Sequence, residues 1–261
     1  MNHLRGIYTI WYRDILRFWH DKIRMVGSVS FALLFLFVFG VGLNKRIGGL
    51  SPGVDDYTQF LFPGIVGMMV LMGSLMAGIS LVWDREFGFL KEVLVAPISR
   101  SSVAIGKTLG SATTALFQGI FILLLAPLIG VSLSLGTVLL LIPLLFLLAA
   151  SMGSLGILLA TRIKSMQAFP VVMQLLVFPM IFLSGVFFPV EGLPAWMNVL
   201  VKLNPATYGI APIRQVALGV ATDSPLSVLG HTMSLWDNIA VMASFGIVMI
   251  LLAVWSFGHQ E

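Results

Sequence analysis

The sequence predicts an all-α polytopic membrane protein: six transmembrane helices, an N-terminal amphipathic interface helix, and both termini in the cytoplasm. Three observations carry this. Of 261 residues, 58% are hydrophobic and only 10% charged, with a mean hydropathy of +1.01. Soluble domains carry about 25% charged residues, so most of this surface faces something other than water. Six apolar runs approach the length of about 20 residues that a helix needs to cross the hydrocarbon core. Finally, Lys and Arg alternate between the connections, as topology demands.

Residues 1–24 form the first unit. Within Leu4–Arg24, Leu4, Ile7, Trp11, Ile15 and Phe18 recur at helical spacing on one face, and Arg13, Arg17, His20 and Arg24 on another. This pattern predicts a helix lying in the headgroup plane, with Trp11 and Phe18 toward the acyl chains and Arg13 and Arg17 toward anionic lipid. Such a helix either only anchors the first span or also touches a cytoplasmic partner; its sequence fits both. The apolar run behind it is too long for a signal-peptide core and has no small-x-small cleavage site, so it is expected to remain as an anchor.

The transmembrane unit covers residues 25–258. Its expected spans are Met25–Leu43, Phe60–Val82, Leu109–Ile129, Gly136–Ala160, Ala168–Phe188 and Ile239–Phe257. Eleven Lys and Arg fall in the N-terminal segment and the connections after spans two and four, and four in the remaining connections. The positive-inside rule assigns the first set to the cytoplasm. Gly67, Gly73, Ala77 and Gly78 in span two, and Gly153 and Gly156 in span four, permit close helix packing.

No Asp, Glu, Lys, Arg or His lies within the six runs. Proton relays and coupled-ion sites need such groups, which weighs against a secondary transporter or channel subunit. That alternative survives only through backbone carbonyls of broken helices. The chain has no cysteine, and its four histidines are scattered, so no metal site is expected. No H-E-x-x-H or G-x-S-x-G lies in a span, so the chain is not expected to be an enzyme. The net charge of +4 records topology and does not point to nucleic acid.

Between spans two and three runs WDREFGFLKEVLVAPISR, residues 83–100, with six charges in eighteen residues. Phe87, Leu90 and Leu94 are spaced i, i+3, i+7, and Pro97 cannot continue a helix. The stretch predicts a short amphipathic helix presented to the cytoplasm. A marker of topology needs only cations, but this stretch matches them with Asp84, Glu86 and Glu92, as a docking surface does. Just beyond, Gly106-Lys107-Thr108 resembles the end of a phosphate loop, but the first glycine position is Ser101. Lys107 is read as a snorkelling cation at the helix end. Any ATP must therefore be bound by another chain.

The outer loop, residues 189–238, carries Leu193, Trp196, Leu200 and Leu203 at helical spacing, ended by Asn204-Pro205. It suits short interfacial or re-entrant helices. Phe187, Phe188, Trp196 and Tyr208 are candidates to line a substrate path or outer gate; the plainer reading is an aromatic belt.

Two stretches carry a family resemblance. WDREFGFLKEVLVAPISR is similar to an aromatic-x-R-E-x-G-T-x-E-x-L-x-x-x-P-x-S-R pattern, and LSGVFFPVEGLPAWMNVLVKLNPATYGIAPIRQ (Leu183–Gln215) to L-S-G-x-x-F-P-x-x-x-L-P followed by N-P-x-T-Y-x-x-x-x-x-R. Both belong to permease subunits of type-two ABC transporters, the class of daunorubicin-type drug exporters and of polysaccharide exporters. Phe89 and Lys91 depart from the pattern. The resemblance implies that this permease pairs with a second copy or a paralogue in the cell membrane. Each would bind a cytoplasmic ATP-binding subunit that holds ATP and Mg, with no cofactor on this chain. A drug-like, lipid or glycan substrate would leave the cytoplasm. Arg85, Glu86, Gly88, Glu92, Pro97 and Arg100 match the pattern and are assigned to ATPase coupling, with Phe87 and Leu90 filling the partner's groove.

Overall fold

Backbone polar groups in hydrocarbon must be paired within their own segment, which drives long apolar runs into helices. In the computed structural model, which describes residues 3–42, 57–88, 99–163, 165–190, 193–219, 226–228 and 231–258, the chain is mostly helical. It begins with α1 (His3–His20) and α2 (Lys22–Phe35), the latter continuing as π-helical Leu36–Val41. Next come α3 (Tyr57–Met76), α4 (Ile79–Glu86), α5 (Arg100–Leu124) and α6 (Leu135–Arg162). A shorter series follows: α7 (Ala168–Phe182), α8 (Ala195–Leu203) and α9 (Pro205–Leu218). A two-residue antiparallel pair, β1 (Ser227–Val228) and β2 (His231–Thr232), precedes α10 (Leu235–Gly258).

Four helical stretches are long and apolar enough to cross a membrane: Tyr57–Glu86, which joins α3 to α4, then α5, α6 and α10. The bent pair His3–His20 and Met25–Gly40, meeting at 68°, makes a fifth if taken as one span. These contain the runs expected for spans two, four and six and most of span one, while the helix of span three starts nine residues early and ends at Leu124, with Ala126–Ile129 in a 3-10 turn. Span five is shorter than expected. Its helix stops at Phe182, and Gly185 turns the chain at φ +78°, so Phe187 and Phe188 lie beyond it. The outer loop is also more ordered than a loop. Asn204 caps α9 through its side chain, which accepts from Ala206 N and donates to Met180 O at 2.7 Å. α9 is buried against α3, α6 and α10.

α3 sits at the centre, with Leu61, Phe62, Ile65, Leu71 and Leu75 fully enclosed. Hydrocarbon gives no solvent-driven gain for association here, so contact relies on close approach of small residues. At the α3–α4 break, a Cβ on Gly78 would lie 2.5 Å from Gly156 O, and one on Gly156 would overlap Leu75 O. These are two of the small residues the sequence singled out. α6 and α10 meet in the same way, Ser151 Oγ donating to Met242 O at 3.2 Å beside Gly246.

α1 does not lie alone in the membrane plane. His3 pairs with Ser99, Ile10 packs on Gly106, Asp14 on Gly110, and Trp19 on Phe117. The constant offset means that α1 runs alongside α5 in the same direction. Of the expected apolar face, Phe18 is buried, while Leu4, Tyr8, Tyr12, Leu16 and Trp19 form the exposed face. Replacing Gly156 by Leu is expected to push the end of α3 at Leu75 away from α6 and cost about 1–3 kcal/mol or more. A thermal melt in detergent should show a clear fall. The same change at Gly136, which has only Ser134 Oγ at 3.7 Å, should be nearly neutral.

Candidate functional site

The charges at the edges of the apolar runs converge. Lys107 on α5 is only 3% exposed. Its Nζ lies 3.2 Å from Asp14 Oδ1 on α1, 2.8 Å from Asp84 Oδ2 on α4, and 3.0 Å from Ser80 Oγ. Arg13 closes the ring: its Nη2 is 2.7 Å from Asp84 Oδ2 and 3.4 Å from Asp14 Oδ1. Two cations thus face two carboxylates that are 12% and 11% exposed. Neighbouring contacts tighten the joint. Arg17 lies over the Trp83 ring at 4.9 Å, and Trp11 Nε1 donates to Thr113 Oγ1 at 3.0 Å. Trp83 Nε1 itself is buried without a hydrogen-bond partner among the described residues.

This corrects the snorkelling reading of Lys107. The ammonium does not reach back to water, because Gly106 and Gly110 admit α1 close enough to bring Asp14 onto it. Arg13 likewise turns inward and not toward lipid headgroups, since a carboxylate within 3 Å outcompetes them. Arg17 is exposed beyond its stacking contact, and Phe18 is buried.

The predicted coupling residues divide into three groups. Arg85 faces inward: Nη1 donates to Ala160 O and Ile163 O, both at 3.3 Å, and Nη2 to Thr161 O at 3.2 Å. It thereby satisfies the last carbonyls of α6, which have no intrahelical donors. Arg100 does the same for α10, Nη1 donating to Gly258 O at 2.9 Å. Glu86 and Phe87 point outward, and Phe87 is 76% exposed. Helix α4 ends here, because Gly88 takes φ +79°, which other residues rarely adopt. Leu90, Glu92 and Pro97 lie outside the described residues, as does most of the helix expected over 83–100.

The opposite end holds a second buried cation that sequence reasoning placed in an outer loop. Arg214 on α9 stacks on Phe60 at 4.1 Å, and its Nη2 donates to Val186 O at 3.1 Å. Burial holds its guanidinium below the usual arginine range, to about 10, so it stays charged at neutral pH. Tyr57 donates to Phe187 O at 2.8 Å. The ring of Phe187 meets Phe35, Phe39 and Phe182. Tyr208 instead donates to Lys202 O at 2.7 Å in a separate cluster with Val201 and Met233. Trp196 is exposed on α8, and Phe188 is half-buried in the loop. The four gate candidates therefore do not form one ring within a single chain.

Asp14 is the functional-looking residue the sequence reading passed over; Arg214 stood as the last position of the second family pattern but was given no role. The usable signals were an acid amid the cations of α1, and an arginine ten residues past Asn204 in a segment with helical apolar spacing.

Substituting Lys107 by Met is expected to leave two buried carboxylates with Arg13 alone and to destabilise the chain by about 3–5 kcal/mol. Adding Asp84→Asn should restore part of that loss. Thermal unfolding of the single and double variants checks this.

The sequence matches the family model described as ABC-2 type transporter over residues 5–218. Among curated relatives, the putative transport permease ycf38 of Cyanophora paradoxa is 30% identical over 213 residues, covering 81% of this chain and 73% of that protein. The inner membrane transport permease YadH of Escherichia coli K12 is 28% identical over 223 residues, 85% of this chain and 86% of that one. The probable multidrug ABC transporter permease YbhR of the same strain is 26% identical over 192 residues, 73% of this chain and 51% of the relative. With most of its length matched, this membrane-embedded chain belongs to the ABC-2 type transporter family.

Proposed function

We propose that this chain is the permease subunit of an ATP-driven exporter, moving a drug-like, lipid or glycan substrate out of the cytoplasm. ATP and Mg reside on a separate ATP-binding subunit that docks at the α4 end. The functional unit holds two permeases, either two copies or this chain with a paralogue. Each crosses the cell membrane six times, and both termini are cytoplasmic. α7 serves as the fifth crossing despite its length.

One observation carries the docking reading. Glu86 and Phe87 are exposed on a turn whose immediate neighbours are immobilised. Asp84 ties that turn to α1 and α5, and Arg85 ties it to the end of α6. Force applied at the exposed pair is passed to three helices without intervening slack. A solvated topology marker needs none of this anchoring. An exposed aromatic beside an acid suits a groove with a basic rim on a partner. The multidrug designation of one relative supports a drug-like substrate.

Purification of the chain with its ATP-binding subunit, followed by ATPase and transport assays in vesicles, tests the proposal. Phe87→Ala and the Glu86→Lys, Glu92→Lys double reversal are expected to reduce co-purification or uncouple hydrolysis from transport by tenfold or more, about 1.4 kcal/mol. Both should leave the fold intact. If no ATP-binding protein accompanies the chain, and flux follows an ion gradient, the reading fails.

A further inference from the structure

After α7 stops at Phe182, the chain folds back across the end of the bundle opposite the ion cluster. Val186, Phe187 and Phe188 lie outside any helix or strand, so their carbonyls need donors from elsewhere. Side chains of two other helices supply them. Arg214 of α9 donates to Val186 O, and Tyr57, the first residue of α3, donates to Phe187 O. Thr207 of α9 adds a bond to Leu183 O at 3.3 Å. The turn rests directly on α3, because a Cβ on Gly64 would sit 2.9 Å from Val186 O. Val186 itself is fully buried there.

Two features set this turn apart from an ordinary packed loop. The first is its costly clamp. Arg214 is 8% exposed, its Nε is buried without a hydrogen-bond partner, and no carboxylate pairs with it among the described residues. A buried cation without a counter-ion is expensive, whereas a neutral amide holds a carbonyl cheaply, as Asn204 holds Met180 O. Ionisable groups enclosed in a membrane bundle mark working parts by default. The second feature is the surface the turn leans on. The Phe187 ring meets Phe35 and Phe39 of the first span, and Phe39 sits in its π-helical stretch Leu36–Val41. Hydrogen bonds there span five residues where α-helical ones span four. Reverting by one residue turns one side of that helix by about 100° against the other, which carries Phe39 away from the Phe187 ring. The seat of Phe187 thus has a second arrangement close at hand.

We infer that Leu183–Phe188 is a hinged strap across the gap between the first span, α3 and α7, held shut by Arg214 and Tyr57. Gly185, at φ +78°, is its hinge, and release of Phe187 from Phe39 opens it. Arg214 and Tyr57 are positioning residues, and neither needs to touch a substrate. A role for the strap in gating export rests on the permease reading above, but its opening does not.

The chain has no native cysteine, so a single thiol reports the opening. Val186→Cys, beneath the strap, is compared with Val201→Cys, equally buried in the cluster around Tyr208. Both are held in nanodiscs, where a charged maleimide reaches either face. Val186→Cys is expected to label slowly but completely. Tyr57→Phe, which removes one hydrogen bond, should speed labelling about three- to tenfold. Arg214→Met should speed it further, and Arg214→Lys should fall between Met and the native residue. Val201→Cys should keep its rate throughout. A Val186→Cys that never labels, or whose rate ignores Tyr57→Phe, overturns the strap. Equal acceleration at Val201→Cys means general loosening and overturns it as well. If Arg214→Met does not fold, Tyr57→Phe and Arg214→Lys decide.

Phe39→Cys with Phe187→Cys, joined by a short bis-thiosulfonate cross-linker, tests the gate in vesicles that also hold the ATP-binding subunit. Transport should stop on cross-linking and return on reduction. Transport that continues through the cross-link removes the gating role. No transport before cross-linking is a failure of the permease reading, and the labelling rates still judge the strap.

Discussion

Lys107 cannot be buried without Asp14 and Asp84, and that requirement orders one end of the molecule. Enclosing an ammonium costs several kcal/mol unless opposite charge and hydrogen bonds surround it. Here the carboxylates come from two other helices, so α1, α4 and α5 must meet before the charge can be covered. The geometry propagates backward into the sequence. Gly106 and Gly110 are needed for α1 to approach, and α5 must begin as early as Arg100 to present Lys107 at the right height. The amphipathic character of α1 follows from the same demand. One face supplies ions to the cluster, and the other presents Tyr8, Tyr12 and Trp19 outward.

The helix ends are closed by a related rule. Every helix finishes with carbonyls that lack intrahelical donors. Arg85 meets those of α6 and Arg100 meets that of Gly258 at the end of α10. At the far end, Asn204 meets the Met180 carbonyl in the last turn of α7, while Arg214 and Tyr57 meet the loop carbonyls of Val186 and Phe187. Between these ends close helix contacts run through Gly and Ser, with the Gln118 amide set against Gly73.

The placement of charge also sets apart the turn proposed for docking. Adjacent residues in Asp84-Arg85-Glu86-Phe87 face in different directions. The first two are spent on internal partners, and the last two are left to solvent. A charge count treats all four alike. The difference arises because α4 has a single side facing α1, α5 and α6, and helical geometry gives only part of each turn to it.

Hydropathy and composition sufficed for a helical membrane protein, because unpaired backbone groups in hydrocarbon leave no other option for runs such as Gly136–Ala160. The family resemblance was legible in the residues of two loops, and the small-residue contact of Gly78 with Gly156 was foreseeable from spacing. What only the tertiary structure decided was the fate of residues at the edges of those runs. Lys107 and Arg214 read as surface cations, because one-dimensional patterning counts distance along the chain and not depth within the bundle. Asp14 drew no reading at all, because its buried partner Lys107 lies 93 residues away along the chain. A hydrophobic run determines that a helix crosses; the pairing of charges across helices is set by packing, and packing belongs to no single segment.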